Sequence, residues 1–143
     1  MESLELTLGD TKIVVTVLRR EVEEAGKPYL DWIKCNVQVS TPSFSGSVRW
    51  SVMPRELTAL AKDLVRLYDD FPKRGALSFN PTEPNISMNL TIRTTGAVDG
   101  ELFVRDNLVD GDRLHCRFTI EQSQLPTLAR EIRGFVEDAT AAA

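Results

Sequence analysis

The sequence has few of the side chains on which most enzymes depend. Its 143 residues include one histidine, His115, and two cysteines, Cys35 and Cys116. Two cysteines are too few for a disulfide framework and they form no C-x-x-C pair, so we interpret them as reduced thiols in the core. No G-x-G-x-x-G or G-x-x-x-x-G-K segment occurs, and a nucleotide site is therefore not supported.

The scarcity of suitable ligands also argues against metal and catalytic sites. His115 is predicted to point outward from the last strand, whereas Cys116 points to the opposite face, so the two cannot easily share a zinc ion. No serine or cysteine with a carboxylate partner forms a nucleophile motif around His115. We therefore expect a protein that is not an enzyme and that uses no catalytic residue, metal or cofactor.

Long apolar runs are missing as well. No stretch approaches the roughly 18 apolar residues of a membrane-spanning helix, and no basic segment precedes an apolar run at the amino terminus. We expect a cytoplasmic protein with no membrane partner. The 21 acidic residues outnumber the 17 basic ones and leave a net charge of −4, so nucleic acid is not the expected partner and a basic partner is slightly favoured.

What the sequence does have is the composition of a folded domain. Apolar residues make up 42% of the chain and charged residues 27%, which excludes a disordered chain. A length of 143 residues is usual for one domain, so we expect a single domain over residues 1–143. The sequence does not distinguish a monomer from a homodimer.

Apolar and polar residues alternate in most of eight predicted strands, residues 12–18 are instead rich in β-branched residues after the Gly9-Asp10 turn, and apolar residues recur at helical spacing in two other segments. Alternation predicts strands with one face on the core, and spacing of three and four predicts amphipathic helices. The predicted strands cover residues 4–8, 12–18, 33–39, 44–52, 76–79, 86–92, 98–105 and 114–120, and the predicted helices cover residues 54–71 and 123–136. Pro54 suits the first turn of one helix, and Ser123 is a good cap for the other.

Four strands and a helix therefore occur twice, in pseudo-repeated halves of about residues 4–71 and 75–138. The simplest layered arrangement is an α+β fold in which an antiparallel sheet of about eight strands carries two helices on one face. Residues 48–52 align with residues 116–120 without gaps, and the following helices then align position by position. This match fits a true duplication, and it also fits the generic pattern of any strand followed by an amphipathic helix.

The outward positions of the predicted strands form a first candidate site. They carry charged and aromatic side chains of the kinds common in protein interfaces. The candidate partner-binding residues are Trp32, Lys34, Arg49, Arg93, Glu101, Phe103, Arg105, His115 and Arg117. A plain solvated face is the alternative interpretation, because antiparallel sheets often face water on one side.

Acidic residues of the predicted loops form a second candidate site. They are Glu83, Asp99, Glu101, Asp106, Asp110 and Asp112. Such a patch fits a basic partner, and it also fits a role in solubility alone. Within it, the Asp-Gly pair at positions 110 and 111 predicts a type I′ hairpin turn, which this dipeptide strongly favours.

Several short segments resemble a known family. They are Phe-Thr-Ile-Glu-Gln-Ser-Gln-Leu at residues 118–125, the preceding segments 86–90 and 96–104, and the strand Phe44-Ser45-Gly46 that leads into a helix with Glu56-Leu57. Together they resemble the WapI family of immunity proteins over about residues 4–136. The segments are structural and include no functional motif, so no site residue is carried over from the family.

The resemblance implies a small bacterial cytosolic protein that binds and blocks the toxic domain of a contact-dependent or secreted polymorphic toxin. The acidic balance is compatible with this, because toxins that attack nucleic acid have basic clefts and an acidic inhibitor gains association rate from steering. An acidic secretion-type chaperone and a small-molecule-binding domain remain as alternatives. Against a ligand pocket, the inward residues are almost all apolar, which favours packing.

Overall fold

The structure, a computed structural model, describes residues 3–73 and 75–141. Its first half contains the strands β1 (Ser3–Leu8), β2 (Thr11–Glu21), β3 (Trp32–Ser40) and β4 (Ser45–Val52), followed by helix α1 (Pro54–Asp69). Its second half contains β5 (Gly75–Phe79), β6 (Ile86–Ile92), β7 (Ala97–Arg105) and β8 (Arg113–Glu121), followed by helix α2 (Leu125–Thr140). Short 3₁₀ helices lie at Pro28–Leu30 and Gln122–Gln124.

The eight strands form two sheets, one in each half. All ladders are antiparallel, and the strands follow chain order as β1-β2-β3-β4 and β5-β6-β7-β8. The predicted α+β fold, with eight antiparallel strands, two helices and two pseudo-repeated halves, is confirmed. One sheet of about eight strands was expected, and the structure divides these strands because α1 separates β4 from β5 and each half completes its own meander.

The two sheets and the two helices share one set of buried apolar side chains. In β3, for example, Ile33, Cys35, Val37 and Val39 face inward with exposures of 1% or less, and the residues between them face outward. α1 and α2 pack against each other, and α2 also contacts β1 of the first half. All eight strands and both helices therefore contribute side chains to one continuous apolar cluster.

A tryptophan links the two halves directly. The indole N–H of Trp50, in β4, donates a hydrogen bond of 2.7 Å to the carbonyl oxygen of Glu83, in the loop between β5 and β6. Its ring also meets Phe79 of β5 edge to face, with centroids 6.1 Å apart and planes at 89°. Aromatic pairs in this geometry add to the stabilisation that burial provides, so Trp50 helps to hold the sheets together.

An ion pair with a buried carboxylate joins the end of β2 to the start of β3. Asp31 is 1% exposed, and Arg20 donates from Nε to its Oδ2. The second oxygen, Oδ1, has no hydrogen-bond partner within the described ranges. Arg20 also donates from Nη1 to the carbonyl oxygen of Ala141, 3.2 Å away, just beyond α2. The guanidinium therefore connects the first sheet with the end of the second helix.

Two turns show where local sequence did and did not determine the backbone. Gly9 has a φ of +62° at the first central position of the β1–β2 turn, as a type II′ hairpin requires. The type I′ turn predicted at Asp110 and Gly111 is wrong, because neither residue has the positive φ that this turn needs. Instead, residues 106–112 form a longer loop in which a Cβ on Gly111 would lie 2.4 Å from the backbone nitrogen of Asn107.

The start of the second helix also differs from the prediction. Ser123 lies inside the 3₁₀ helix Gln122–Gln124 and does not act as the cap. Gln124 closes this turn instead, because its Oε1 accepts a hydrogen bond of 3.0 Å from the backbone N–H of Glu121.

Among the described residues, no helix has the length and apolar character needed to cross a membrane.

Candidate functional site

Six of the nine predicted partner-binding residues lie on the outer surface of the second sheet. We call this surface the second-sheet face and define it by Arg93, Glu101, Phe103, Arg105, His115 and Arg117. Alternation explains the grouping of five of them, since every second residue of β7 and β8 points away from the core. Arg93 directly follows β6 and joins them through its contact with Asp99 of β7. The register places Phe103 opposite His115 and Glu101 opposite Arg117, so these side chains are neighbours across the two strands.

The centre of the second-sheet face is a stack of Phe103 on His115. The two rings lie 4.5 Å apart, with an angle of 12° between their planes. Nε2 of the histidine lies 2.7 Å from Oε2 of Glu101, a geometry that fixes the orientation of the imidazole. The side chains of His115 and Glu101 keep 43% and 42% of their surface exposed. The stack is therefore a preformed plate that a partner can reach.

A paired arginine lies beside this plate. Arg93 donates from Nε and Nη2 to the two carboxylate oxygens of Asp99, at 2.6 and 2.5 Å, and Thr119 adds a hydrogen bond of 3.2 Å. The hydrogen bond from Arg93 is the main cause that lowers the pKa of Asp99. Because the pair is exposed, it contributes little to stability, and its main effect is to fix the Arg93 guanidinium beside Asp99.

Three further arginines point outward from this sheet and form no ion pair within residues 3–73 and 75–141: Arg105 and Arg117 of the second-sheet face, and Arg113 at the start of β8. Arg105 and Arg113 lie directly opposite each other across β7 and β8, an arrangement in which like charges destabilise a sheet. Arg117 lies opposite Glu101, whose carboxylate binds His115 instead. The prediction missed Arg113, because the predicted strand began one residue later. Guanidinium groups that are not paired within the protein are available for bidentate hydrogen bonds with carboxylates of another molecule.

The other three predicted residues lie on the first sheet, so the single outward face expected from the sequence is divided in two. Lys34 is held by Glu21, with an Nζ–Oε1 distance of 3.1 Å, and Trp32 lies opposite the same glutamate. Arg49 forms no ion pair among the described residues and lines a shallow groove together with Lys34. Trp32, Lys34 and Arg49 define the first-sheet face. The prediction missed this division because alternation does not reveal how strands are shared between sheets.

The second predicted site, the acidic loop patch, is also divided. Asp99 and Glu101 lie on β7, where they bind Arg93 and His115, and Glu83 lies in the β5–β6 loop beside Trp50. Asp106, Asp110 and Asp112 remain together in the loop between β7 and β8. The two carboxylates on β7 already have partners within the protein. The acidic residues that remain open to a basic partner are therefore those of the β7–β8 loop.

The cysteines lie in the core, as predicted. Both are free and buried, and burial raises the pKa of Cys35 to about 12 and also raises that of Cys116. A thiol with so high a pKa stays protonated near neutral pH and is a poor nucleophile. In the described part of the chain, no group of three or more histidine, cysteine or acidic side chains is placed to hold a metal ion.

Comparison with known proteins identifies the family. The model of the immunity protein WapI-like family matches residues 6–139, nearly the whole chain. This chain belongs to the WapI-like family of immunity proteins. No curated protein matches its sequence. A solved structure of the plant transcriptional regulator PBF-2 is similar at a TM-score of 0.42 and 8% identity, over 94% of this chain and 80% of that chain.

Membership in the WapI-like family indicates an immunity function. It confirms the resemblance drawn from the segments at residues 44–46, 56–57, 86–90, 96–104 and 118–125. The family match does not identify contact residues, so the second-sheet face, the first-sheet face and the β7–β8 loop are candidates on their geometry alone. Of these, the second-sheet face carries the most arginine side chains, a residue type enriched at energetically important positions of interfaces, and they surround an accessible stack of two aromatic rings.

Proposed function

We propose that this chain is a cytoplasmic immunity protein that binds a cognate bacterial toxin domain and neutralises it by occlusion, without catalysis of its own. The observation that carries the proposal is the family match over residues 6–139. Burial raises the pKa of Cys35 to about 12, so its thiol is a poor nucleophile, and His115 points outward and pairs with Glu101. These two side chains therefore do not form a nucleophile and base in contact. Binding is then the means by which the protein acts.

The second-sheet face is our proposed site of toxin contact. Phe103 and His115 offer a flat, partly apolar plate, and a partner that covers it gains the burial and stacking energy of aromatic contacts. Around the plate, Arg105, Arg113 and Arg117 present planar donors that match carboxylates and backbone carbonyls on a partner. Because Phe103 stacks on His115 and His115 is bound to Glu101, these two rings are held in place before binding, which lowers the entropy cost of association.

Co-expression with the toxin domain encoded beside this chain's gene tests the function. We expect cells that produce the toxin alone to stop growing, and cells that also produce this chain to grow and to yield a co-purifying complex. A toxin domain from an unrelated system serves as the control and should be neither neutralised nor bound. Loss of both growth rescue and co-purification with the neighbouring toxin would contradict the proposal.

Charge reversal distinguishes the two sheet faces. Arg117→Glu should weaken toxin binding at least tenfold, about 1.4 kcal/mol, since it replaces an exposed donor of the second-sheet face by a repelling charge. Arg49→Glu is the matched reversal on the first-sheet face and should change affinity less. Titration calorimetry measures both, and circular dichroism should show an unchanged fold. A larger effect at Arg49 would assign toxin contact to the first-sheet face.

A further inference from the structure

An apolar slot opens at one end of the molecule, between the tips of the two sheets. One wall comes from the β3–β4 hairpin, with Val39, Phe44 and Val48, and the other from Val104 and Leu114 of β7 and β8. The open volume is about 240 Å³. Val39, Val48 and Val104 are buried members of the core, so the slot leads from solvent directly onto core side chains.

One inward-facing strand position that lines the slot has no side chain: Gly46, near the start of β4, where the chain is still exposed. Gly46 pairs with Val39 across β3 and β4, and residues directly opposite each other point to the same face of a sheet. Val39 points inward, so a side chain at position 46 would point inward too. The later inward positions of β4 are filled by Val48, Trp50 and Val52. The row of apolar side chains on the inner face of β4 therefore begins only at Val48, and position 46 leaves its end open.

Other glycines within strands do not leave such a space. A Cβ on Gly100 would lie 2.1 Å from the ring of Phe118, and a Cβ on Gly75 would lie 2.9 Å from Leu67, because neighbouring side chains already fill both positions. A Cβ on Gly46 would meet nothing within 4 Å. The first two glycines therefore serve packing inside the protein, whereas a side chain at position 46 would extend into open space.

The rim of the slot has the composition of an interface. Phe44 is 66% exposed at its mouth, and Val109 of the adjoining β7–β8 loop is 84% exposed. The same loop carries Asp106, Asp110 and Asp112, of which the first and last line the slot; Arg113, which follows the loop, is the one basic residue of the lining. Exposed apolar groups bordered by charges of mainly one sign mark interaction sites and favour partners of opposite charge.

We propose that this slot receives an apolar side chain from a basic segment of the toxin domain. The inference rests on the proposed function for the identity of the partner, and on Gly46 and its surroundings for the chemistry. The partner side chain occupies the inward position that Gly46 leaves empty and completes the row of β4. Lysine or arginine residues beside it meet Asp106 and Asp112. The slot adjoins Arg113, so it extends the second-sheet face toward the β7–β8 loop.

A synthetic peptide tests the slot without the toxin. The probe carries one tryptophan with two lysines on each side, and the control peptide carries glutamates in place of the lysines. In ¹⁵N-¹H spectra of the labelled protein, we expect the lysine peptide to shift the amides of Gly46, Ser47 and Leu114. The glutamate peptide should bind at least tenfold more weakly, because Asp106 and Asp112 repel it.

Filling the slot from within is the decisive variant. Gly46→Val adds an inward side chain where the structure has space, so the fold should persist and the thermal midpoint should not fall. Binding of the lysine peptide should weaken at least tenfold. Gly134→Ala is the matched control: its Cβ also meets nothing within 4 Å, but it lies on α2, away from the slot. This variant should leave peptide binding unchanged.

The toxin domain supplies the second readout. If the slot is used, Gly46→Val should also weaken the toxin complex at least tenfold, and Gly134→Ala should not. Peptide shifts away from the slot, or equal peptide binding by Gly46→Val, would overturn the slot proposal. Failure of the unaltered protein to bind the toxin, with the peptide still bound at residues 46, 47 and 114, would instead overturn the proposed immunity function and leave the slot as a peptide-binding site.

Discussion

Arg20→Leu should lower the free energy of unfolding by about 3–5 kcal/mol. The change removes the only side-chain partner found for Asp31 within residues 3–73 and 75–141, and that carboxylate is 1% exposed. A buried charge without a partner is far more costly than the intact pair, whose own net contribution is small. The contact between Arg20 and the carbonyl of Ala141 is lost as well, so the end of α2 should fray. Urea denaturation followed by circular dichroism measures the effect.

A double-mutant cycle separates the cost of the orphaned charge from the value of the pair. Arg20→Leu with Asp31→Leu removes both charges and should recover most of the stability lost in the single variant, since an apolar pair of similar volume often replaces a buried ion pair without loss. Equal destabilisation of the single and double variants would show that burial of the aspartate charge is not the cause.

Phe118→Ala should be about as damaging, with a loss of about 3–5 kcal/mol. Phe118 is 7% exposed and its ring covers Gly100, so close that a Cβ on the glycine would lie 2.1 Å from it. Removing the ring leaves a cavity that Gly100 has no side chain to fill, and it exposes the backbone of β7. Thermal and urea unfolding should both show the loss.

Phe103→Ala is the matched control for this prediction. Phe103 lies in the same sheet but on its outer face, stacked on His115 at 4.5 Å. Its removal costs the stacking and part of the burial, so we expect a loss below about 1.5 kcal/mol together with weaker toxin binding. A larger stability loss at position 103 than at position 118 would contradict the assignment of inner and outer faces.

Much of the fold follows from periodicity. Alternation placed Ile33, Cys35, Val37 and Val39 inward, and helical spacing placed Leu57, Leu60 and Leu64 on the buried stripe of α1. Both patterns report which side of an element meets the core, and that information is local. The alternation of β7 and β8 was likewise enough to put Phe103 and His115 on one outer face.

The division into two sheets did not follow from the sequence, because alternation is the same whether a strand's neighbour belongs to one sheet or to another. This is why Arg49 and Arg117 were predicted on a single face. The long β7–β8 loop was missed for a related reason: the dipeptide Asp110-Gly111 has a strong local preference, but the contacts of the whole loop determined its backbone. The slot was missed because a glycine in a strand reveals nothing about whether a neighbour fills its space.

Trp50 has a further consequence, for optical measurement. Its buried indole, bonded to Glu83 and facing Phe79, lies where the two halves meet, whereas Trp32 is half-buried on the first-sheet face. These are the two tryptophans of the chain. Their emission therefore separates two events: a red shift from position 50 reports the parting of the sheets, and a change confined to position 32 reports a molecule arriving at the first-sheet face. In the variant Trp32→Phe, Trp50 is the remaining tryptophan, and its emission reports the contact between the two sheets alone.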